Sequence, residues 1–232
     1  MVIRVVDCET TGLSPKDGSE VIEIASVDLT KDFGITNRMQ TFCKPRIGGI
    51  SPKISSITHI IEADVKDAPT FEEVAPQFAG ADVYVAHNAA FDGRFLPFMG
   101  AGKVICTMKA ARRLWTKADS YSNQAIRYSL GLVEPFGMKR EEIAPHRALS
   151  DVIVTAAILA YILRERRATF AQLVEWTGAP TAYATMPIGK FKGQPMSAVD
   201  GGWLEWFANG TSDDEDLKAA CRAELQRRRA AA

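Results

Sequence analysis

No apolar run in this 232-residue chain approaches the length that a bilayer crossing needs. The opening MVIRVVDCETTG sets charged residues where a secretion signal would carry its apolar stretch, so the expected location is the cytoplasm, with no membrane partner. Cysteine is sparse: Cys8, Cys43, Cys106 and Cys221 are scattered without a Cys-x-x-Cys pair, which argues against a disulfide framework and a thiolate zinc site. Net charge is missing too, with 28 basic residues against 28 acidic ones. The strongly basic balance that often marks a nucleic-acid partner is therefore absent. Such a partner fits only if several acids gather around cations, where they stop repelling phosphate. Histidine occurs three times, at His59, His87 and His146.

What is present suffices for a sizeable core, since 47% of the residues are hydrophobic, and the length suits one domain plus an appendage. Apolar runs at residues 2–6, 21–29 and 38–43, separated by turn-prone SPKDGS and KDFG, predict a three-stranded meander. Ser51 and Pro52 open a helix, a second helix covers 71–78, and a short strand at 82–86 runs into HNAAFD and a helix from Phe91. VICTM reads as a strand, MKAARRLW and SNQAIRYSLG as helices, and the stretch from Ala148 to about Arg166 as a long apolar helix with a basic end. Strands first and helix–strand alternation afterwards predict an α/β fold around a mixed sheet.

From Thr169 the composition changes to TFAQLVEWTG, a loop, the Gly- and Lys-rich MPIGKFKGQP, the aromatic GGWLEWF and a charged final helix. This predicts a main domain at 1–167, a linker helix and loop at 168–180, and a small C-terminal α+β module at 181–232. Trp203, Trp206 and Phe207 have helical spacing and are expected to form the module's core. Lys190 and Lys192 flank Phe191 in a hairpin-like turn and are candidates for contact with a nucleic-acid strand. In the charged tail, Ser212 and Glu215 are expected to form a capping box, with Arg227 to Arg229 at the helix's negative end.

Chemistry concentrates in three places. Asp7 and Glu9 stand two apart at a strand end, so both carboxylates point to the same side; alone, such a pair is as readily a solvated strand end as a cation site. Asp92 follows the strand VYVAHN, at the carboxyl end where ligands collect in α/β sheets, although a helix cap would look the same. In HRALSD, His146 precedes Asp151 by five residues, a spacing that places the imidazole in the turn before the helix and leaves it able to swing toward Asp151.

DCETTG, VAHNAAFD and HRALSD, in that order, resemble the three motifs of the DEDDh exonucleases, a branch of the ribonuclease H-like fold. The segments VIEIASVD, ICTMKAARRLW, YSNQAI and MPIGKFKG extend the similarity over nearly the whole chain. The resemblance implies a ribonuclease H-like mixed sheet flanked by helices and a 3′-to-5′ exonuclease releasing nucleoside 5′-monophosphates. It assigns two divalent ions to Asp7, Glu9, Asp92 and Asp151, and the general base to His146. An all-oxygen carboxylate site favours Mg²⁺ or Mn²⁺ over zinc, and an imidazole can accept a proton at neutral pH. The expected partner is a DNA 3′ end, single-stranded or duplex. An RNA 3′ exonuclease and a non-catalytic DNA-end-binding or polymerase-accessory protein are the alternatives, and oligomeric state is not encoded in any motif.

For holding the strand end, Thr10, Thr11, Gly12 and Leu13 are expected to form a loop whose amides reach the terminal hydroxyl. Leu13 either packs on the last base or closes the core. His87 and Asn88 are expected to shape the site. Tyr121 and Asn123, before a helix N-terminus, are candidates for phosphate contact, with Lys109, Arg112 and Arg113 adding positive charge.

Overall fold

Strand β1 (Ile3–Thr10) runs through the middle of a five-stranded sheet. On one side it pairs antiparallel with β2 (Val21–Leu29), which pairs antiparallel with β3 (Ile35–Phe42). On the other side β4 (Val83–Ala86) runs parallel to β1, and β5 (Lys103–Cys106) runs parallel to β4. The computed structural model describes residues 1–181, 183, 185–212 and 214–230.

Between β3 and β4 lie α1 (Pro52–Thr58), the four-residue α2 (Glu62–Val65) and α3 (Phe71–Phe78). The Ser51 hydroxyl accepts from Ile54 N–H and Pro52 takes the first helical position, as the sequence predicts. After β4 come α4 (Ala89–Phe95), β5 and α5 (Thr107–Leu114), then α6 (Asn123–Ser129) and α7 (Ala148–Arg164). β1 extends four residues past the predicted end, and the predicted strand VICTM gives up its last two residues to α5.

The sheet's alternation divides the core. Val5, with Ala25, Val27, Val85 and Ile105, packs under α7, which is buried on nearly every side because it is apolar all round. Val6, with Ile24, Tyr84 and Ala86, packs on the opposite face against Val74 and Phe78 of α3 and Phe95 of α4.

Helix α8 (Phe170–Gly178) departs from the predicted linker. Leu173 is 1% exposed and belongs to the same core as α7, and the Thr177 hydroxyl accepts from Cys106 N–H at 2.8 Å. The residues beyond form a separate small core of Met186, Met196, Leu204, Phe207, Leu217 and Cys221 around α9 (Gly201–Asn209) and α10 (Glu215–Ala230). Among the described residues its β content is one isolated bridge, Thr185 to Pro195, so the expected α+β module is mainly helical. The predicted capping box is also corrected: Asp214, not Ser212, accepts from Leu217 N–H in the first turn of α10, while the Ser212 hydroxyl accepts from Asp214 N–H.

Lys109 and Arg113, expected as loose positive charge, clamp this part to α5. Lys109 Nζ donates to Thr177 O at 3.0 Å and pairs with Asp216 at 3.0 Å, and Arg113 donates to Pro180 O at 3.0 Å.

Candidate active site

β1 supplies the first two acids: Asp7 stands opposite Ala25 and Glu9 opposite Glu23 of β2, both on the face that α7 covers. Asp151 lies in the first turn of α7. Asp92 lies one turn inside α4, 2% exposed, so it neither begins nor caps that helix; the cap position is Asn88, whose left-handed φ of 71° turns the chain out of β4. All four acids and His146 line one pocket of about 540 Å³. Ligand atoms of Glu9, His146 and Asp151 lie within 4.8 Å of one another.

His146 occupies the turn before α7, exposed and left-handed with φ 59°. Its backbone N–H donates to Asp151 Oδ2 at 2.9 Å. The other Asp151 oxygen accepts from Gln124 Nε2 at 3.2 Å, and Gln124 Oε1 accepts from the buried Arg127 at 2.9 Å. Asp151 is thus fixed from both sides while the imidazole faces solvent.

So many carboxylates resist ionising together. Burial pushes Asp7 well above the ordinary carboxylate range, and the negative charges of Asp92, Asp151, Glu9 and Glu23 push it further. Burial, then Asp151, Glu23 and Asp92, raises Glu9 to about 8, with Arg147 opposing. Burial raises Asp92 to about 7 and also raises Asp151, whose hydrogen bonds from His146 and Gln124 act the other way. Cys8 Sγ lies 3.7 Å from Asp92 Oδ1, and burial keeps its thiol protonated, a weak donor rather than a thiolate ligand. The pocket is a set of hard oxygen donors in need of positive charge, and divalent cations of the Mg²⁺ or Mn²⁺ type match that chemistry.

Of the residues expected to hold a strand end, Thr10, Thr11, Gly12, Leu13, His87, Asn88 and Asn123 line this pocket, whereas Tyr121, Lys190 and Lys192 do not. Thr10 belongs to β1 and donates to Gly12 O at 2.6 Å. Thr11 commits its N–H to Glu20 O and its hydroxyl to Glu20 N–H, so it shapes the loop rather than offering its amide. Leu13 is 77% exposed and does not close the core.

His87 has both ring nitrogens engaged, Nε2 with Tyr121 O at 2.8 Å and Nδ1 with the Thr107 hydroxyl at 2.9 Å. A carbonyl only accepts, so Nε2 carries the proton. Burial lowers His87 to about 4, leaving it a neutral brace rather than a substrate contact. Asn123 Nδ2 donates to Asp151 O at 3.1 Å and the Thr155 hydroxyl at 2.8 Å, tying α6 to α7 rather than reaching for phosphate. The Tyr121 hydroxyl donates to Trp115 O at 2.8 Å. Lys190 Nζ rests 4.8 Å over the Phe191 ring, away from the acids.

Sequence reasoning missed Lys53, Ile54 and Ile57 of α1, which line the same pocket; Lys53 is the one Lys or Arg among the described lining residues. It also missed Gln124 and the buried Glu23. The Glu9–Glu23 register of two adjacent strands was the available signal for Glu23. A larger cavity of about 810 Å³, walled by Phe71 and Phe98, contains none of the four acids.

The exonuclease (RNase_T) family profile matches residues 5–159. Exodeoxyribonuclease 10 of Escherichia coli (strain K12) is 41% identical over 231 residues, covering 97% of this chain and 99% of that protein. The PolC-type DNA polymerase III of Clostridium perfringens (strain 13 / Type A) is 35% identical over 173 residues, covering 70% of this chain but 11% of that protein. Among solved structures, exonuclease X in complex with 5′ overhanging duplex DNA aligns with a TM-score of 0.65 and 41% identity, covering 76% of this chain and 99% of that one. The nuclease domain of 3′hExo, a DEDDh family member bound to rAMP, aligns with a TM-score of 0.56 at 20% identity, covering 71% of this chain and 92% of that one, a likeness of ribonuclease H-like fold.

Proposed function

The chain belongs to the exonuclease family, and from that premise we propose that it is a 3′-to-5′ exodeoxyribonuclease. It removes nucleoside 5′-monophosphates from DNA ends by metal-dependent hydrolysis, with Asp7, Glu9, Asp92 and Asp151 as the metal-holding acids and His146 as the general base. The observation that carries this reading is the convergence of four mutually repelling carboxylates and an exposed imidazole in one pocket. Without bound positive charge that repulsion is relieved only by protons on the acids, which divalent cations would displace.

Asp7, Glu9, Asp92 and Asp151 would hold a pair of divalent ions, which would supply Lewis-acid stabilisation to the attacking water and to the leaving 3′ oxygen. The protein's own residues do the rest. His146, on its exposed turn beside Glu9 and Asp151, takes the water's proton on its imidazole. Asp151 keeps its orientation through Gln124 and the His146 N–H. The exposed side chains of Leu13 and Ile57 give the terminal base apolar surface, and Lys53 gives the phosphate a cation. The relatives named for DNA favour DNA as substrate.

Matched DNA and RNA oligonucleotides labelled at the 5′ end, incubated with Mg²⁺, Mn²⁺ or EDTA, test the reading. A metal-dependent ladder shortening from the 3′ end of DNA is expected. Faster shortening of RNA would make the protein an RNA exonuclease, and no cleavage with any metal would leave an end-binding protein.

A further inference from the structure

A second cleft, of about 630 Å³, opens between α5 and the C-terminal part of the chain, lined by Arg112, Arg113, Thr116, Tyr121, Tyr183 and Thr185 together with Ala118 and two prolines. Among the described residues no carboxylate lines it. Arg112 lines it, with its guanidinium 5.3 Å from the Tyr121 ring and 4.5 Å from the Tyr183 ring, and its side chain donates a hydrogen bond to the Tyr183 hydroxyl. Its Nε is buried without a hydrogen-bond partner, and among the described residues no carboxylate forms an ion pair with it. Among the described residues, the acids whose charge reaches Tyr183 are committed elsewhere: Asp216 to Lys109 and the Thr181 hydroxyl, Asp214 to the cap of α10.

The covered Nε is out of a ligand's reach, but Arg112 as a whole is only half-buried, so its guanidinium, with no carboxylate paired to it among the described residues, carries uncompensated charge that an anion in the cleft can meet. Thr116, Tyr183 and Thr185 add hydroxyl donors around it, and burial pushes the Tyr183 phenol up to about 12, so it stays protonated. The cleft also adjoins the catalytic pocket. Tyr121 lines the cleft, its carbonyl accepts from His87 of the pocket, and Asn123, two residues on, lines the pocket.

We propose that this cleft is a second nucleic-acid subsite, which takes the phosphodiester backbone of the substrate strand upstream of the reacting 3′ end, with Arg112 as its anion contact. The assignment rests on the nuclease reading above. It makes the junction between the catalytic unit and the C-terminal part a strand-holding surface. The strand leaves the acids across the Tyr121 to Asn123 wall and meets donors on the other side.

The test uses the full chain with Arg112→Gln, Arg112→Lys and Thr116→Glu. Thr116 is exposed, so its substitution introduces repulsion without disturbing the packing around Arg112. Binding of a thymidylate dodecamer and a dinucleotide is measured in Ca²⁺, and turnover of the p-nitrophenyl ester of thymidine 5′-monophosphate in Mn²⁺. Arg112→Gln and Thr116→Glu are expected to weaken the dodecamer roughly 5- to 10-fold, with the salt slope of Arg112→Gln falling by about one. The dinucleotide and the ester should be unaffected, and Arg112→Lys should recover part of the loss. Unchanged dodecamer affinity in both variants would overturn the subsite, as would equal losses on all three probes, which would make Arg112 a packing residue. A wild-type chain inert toward ester and DNA would overturn the nuclease reading instead, while the binding comparison still decides whether the cleft holds a strand.

Discussion

Glu23 and Arg147 form an ion pair at 2.9 Å that joins β2 to the residue directly after His146. Glu23 is fully buried, and it also accepts from Ala148 N–H at 3.0 Å and Gln40 Nε2 at 2.6 Å. The start of α7, and with it the turn that carries His146, is therefore anchored to the strand beside the one that carries Asp7 and Glu9.

Arg147→Ala strands the Glu23 carboxylate among its remaining donors. The Arg147 side chain is 31% exposed, so the cost falls at the lower end for a buried pair, about 3 kcal/mol. A melting temperature lower by roughly 6–12 °C is expected. The kcat on DNA should fall more than KM rises, because the base is misplaced rather than the strand released, and Arg147→Lys should restore part of the rate. Wild-type kcat in Arg147→Ala would show that the turn holds itself.

The raised acids make metal-free stability fall with pH. Ordinary carboxylates titrate near 4, whereas Asp92 and Glu9 are raised to about 7 and about 8. Between those values the folded chain holds more protons than the unfolded one, so unfolding free energy drops as pH rises through this window. Thermal melts in EDTA should shift downward from pH 5 to pH 8.5, and Mn²⁺ should raise the melting temperature more at the upper end. A flat profile would mean that the acids ionise freely.

Lys53→Ala tests the wall contributed by α1. Loss of the pocket's lysine should raise KM for DNA about 3- to 10-fold and lower the salt slope by about one, with kcat changed less. An unaltered salt slope would remove Lys53 from the phosphate path.

Because α8 shares the core of α7, a chain ending at residue 180 should fold, whereas one ending at 167 exposes the surface that Leu173 covers and frees the Cys106 N–H. The shorter chain should melt at least about 10 °C lower. Equal melting temperatures would restore the linker reading.

Much of the site was legible because local patterns set it. Asp7 and Glu9 share a face through strand alternation, and the five-residue gap from His146 to Asp151 suits a turn followed by a helix. The pairing of Glu23 with the turn before α7 was not legible, since its partner Arg147 lies 124 residues away. Lys109 and Arg113 looked like binding charge because sequence carries no sign of the carbonyls and the Asp216 carboxylate that they meet. Thr169 to Gly178 read as a linker because its short apolar face gives no hint of the uncovered edge of β5.

Titration of Mn²⁺ into the wild-type chain and into Asp92→Asn, followed by calorimetry at pH 6 and pH 8 without DNA, tests the central claim most directly. The account predicts saturable binding to the wild type that releases more protons at pH 6, where more of the acids still hold them, and binding at least about tenfold weaker in Asp92→Asn. Equal Mn²⁺ binding by both chains, or metal-free cleavage of DNA by the wild type, would contradict it.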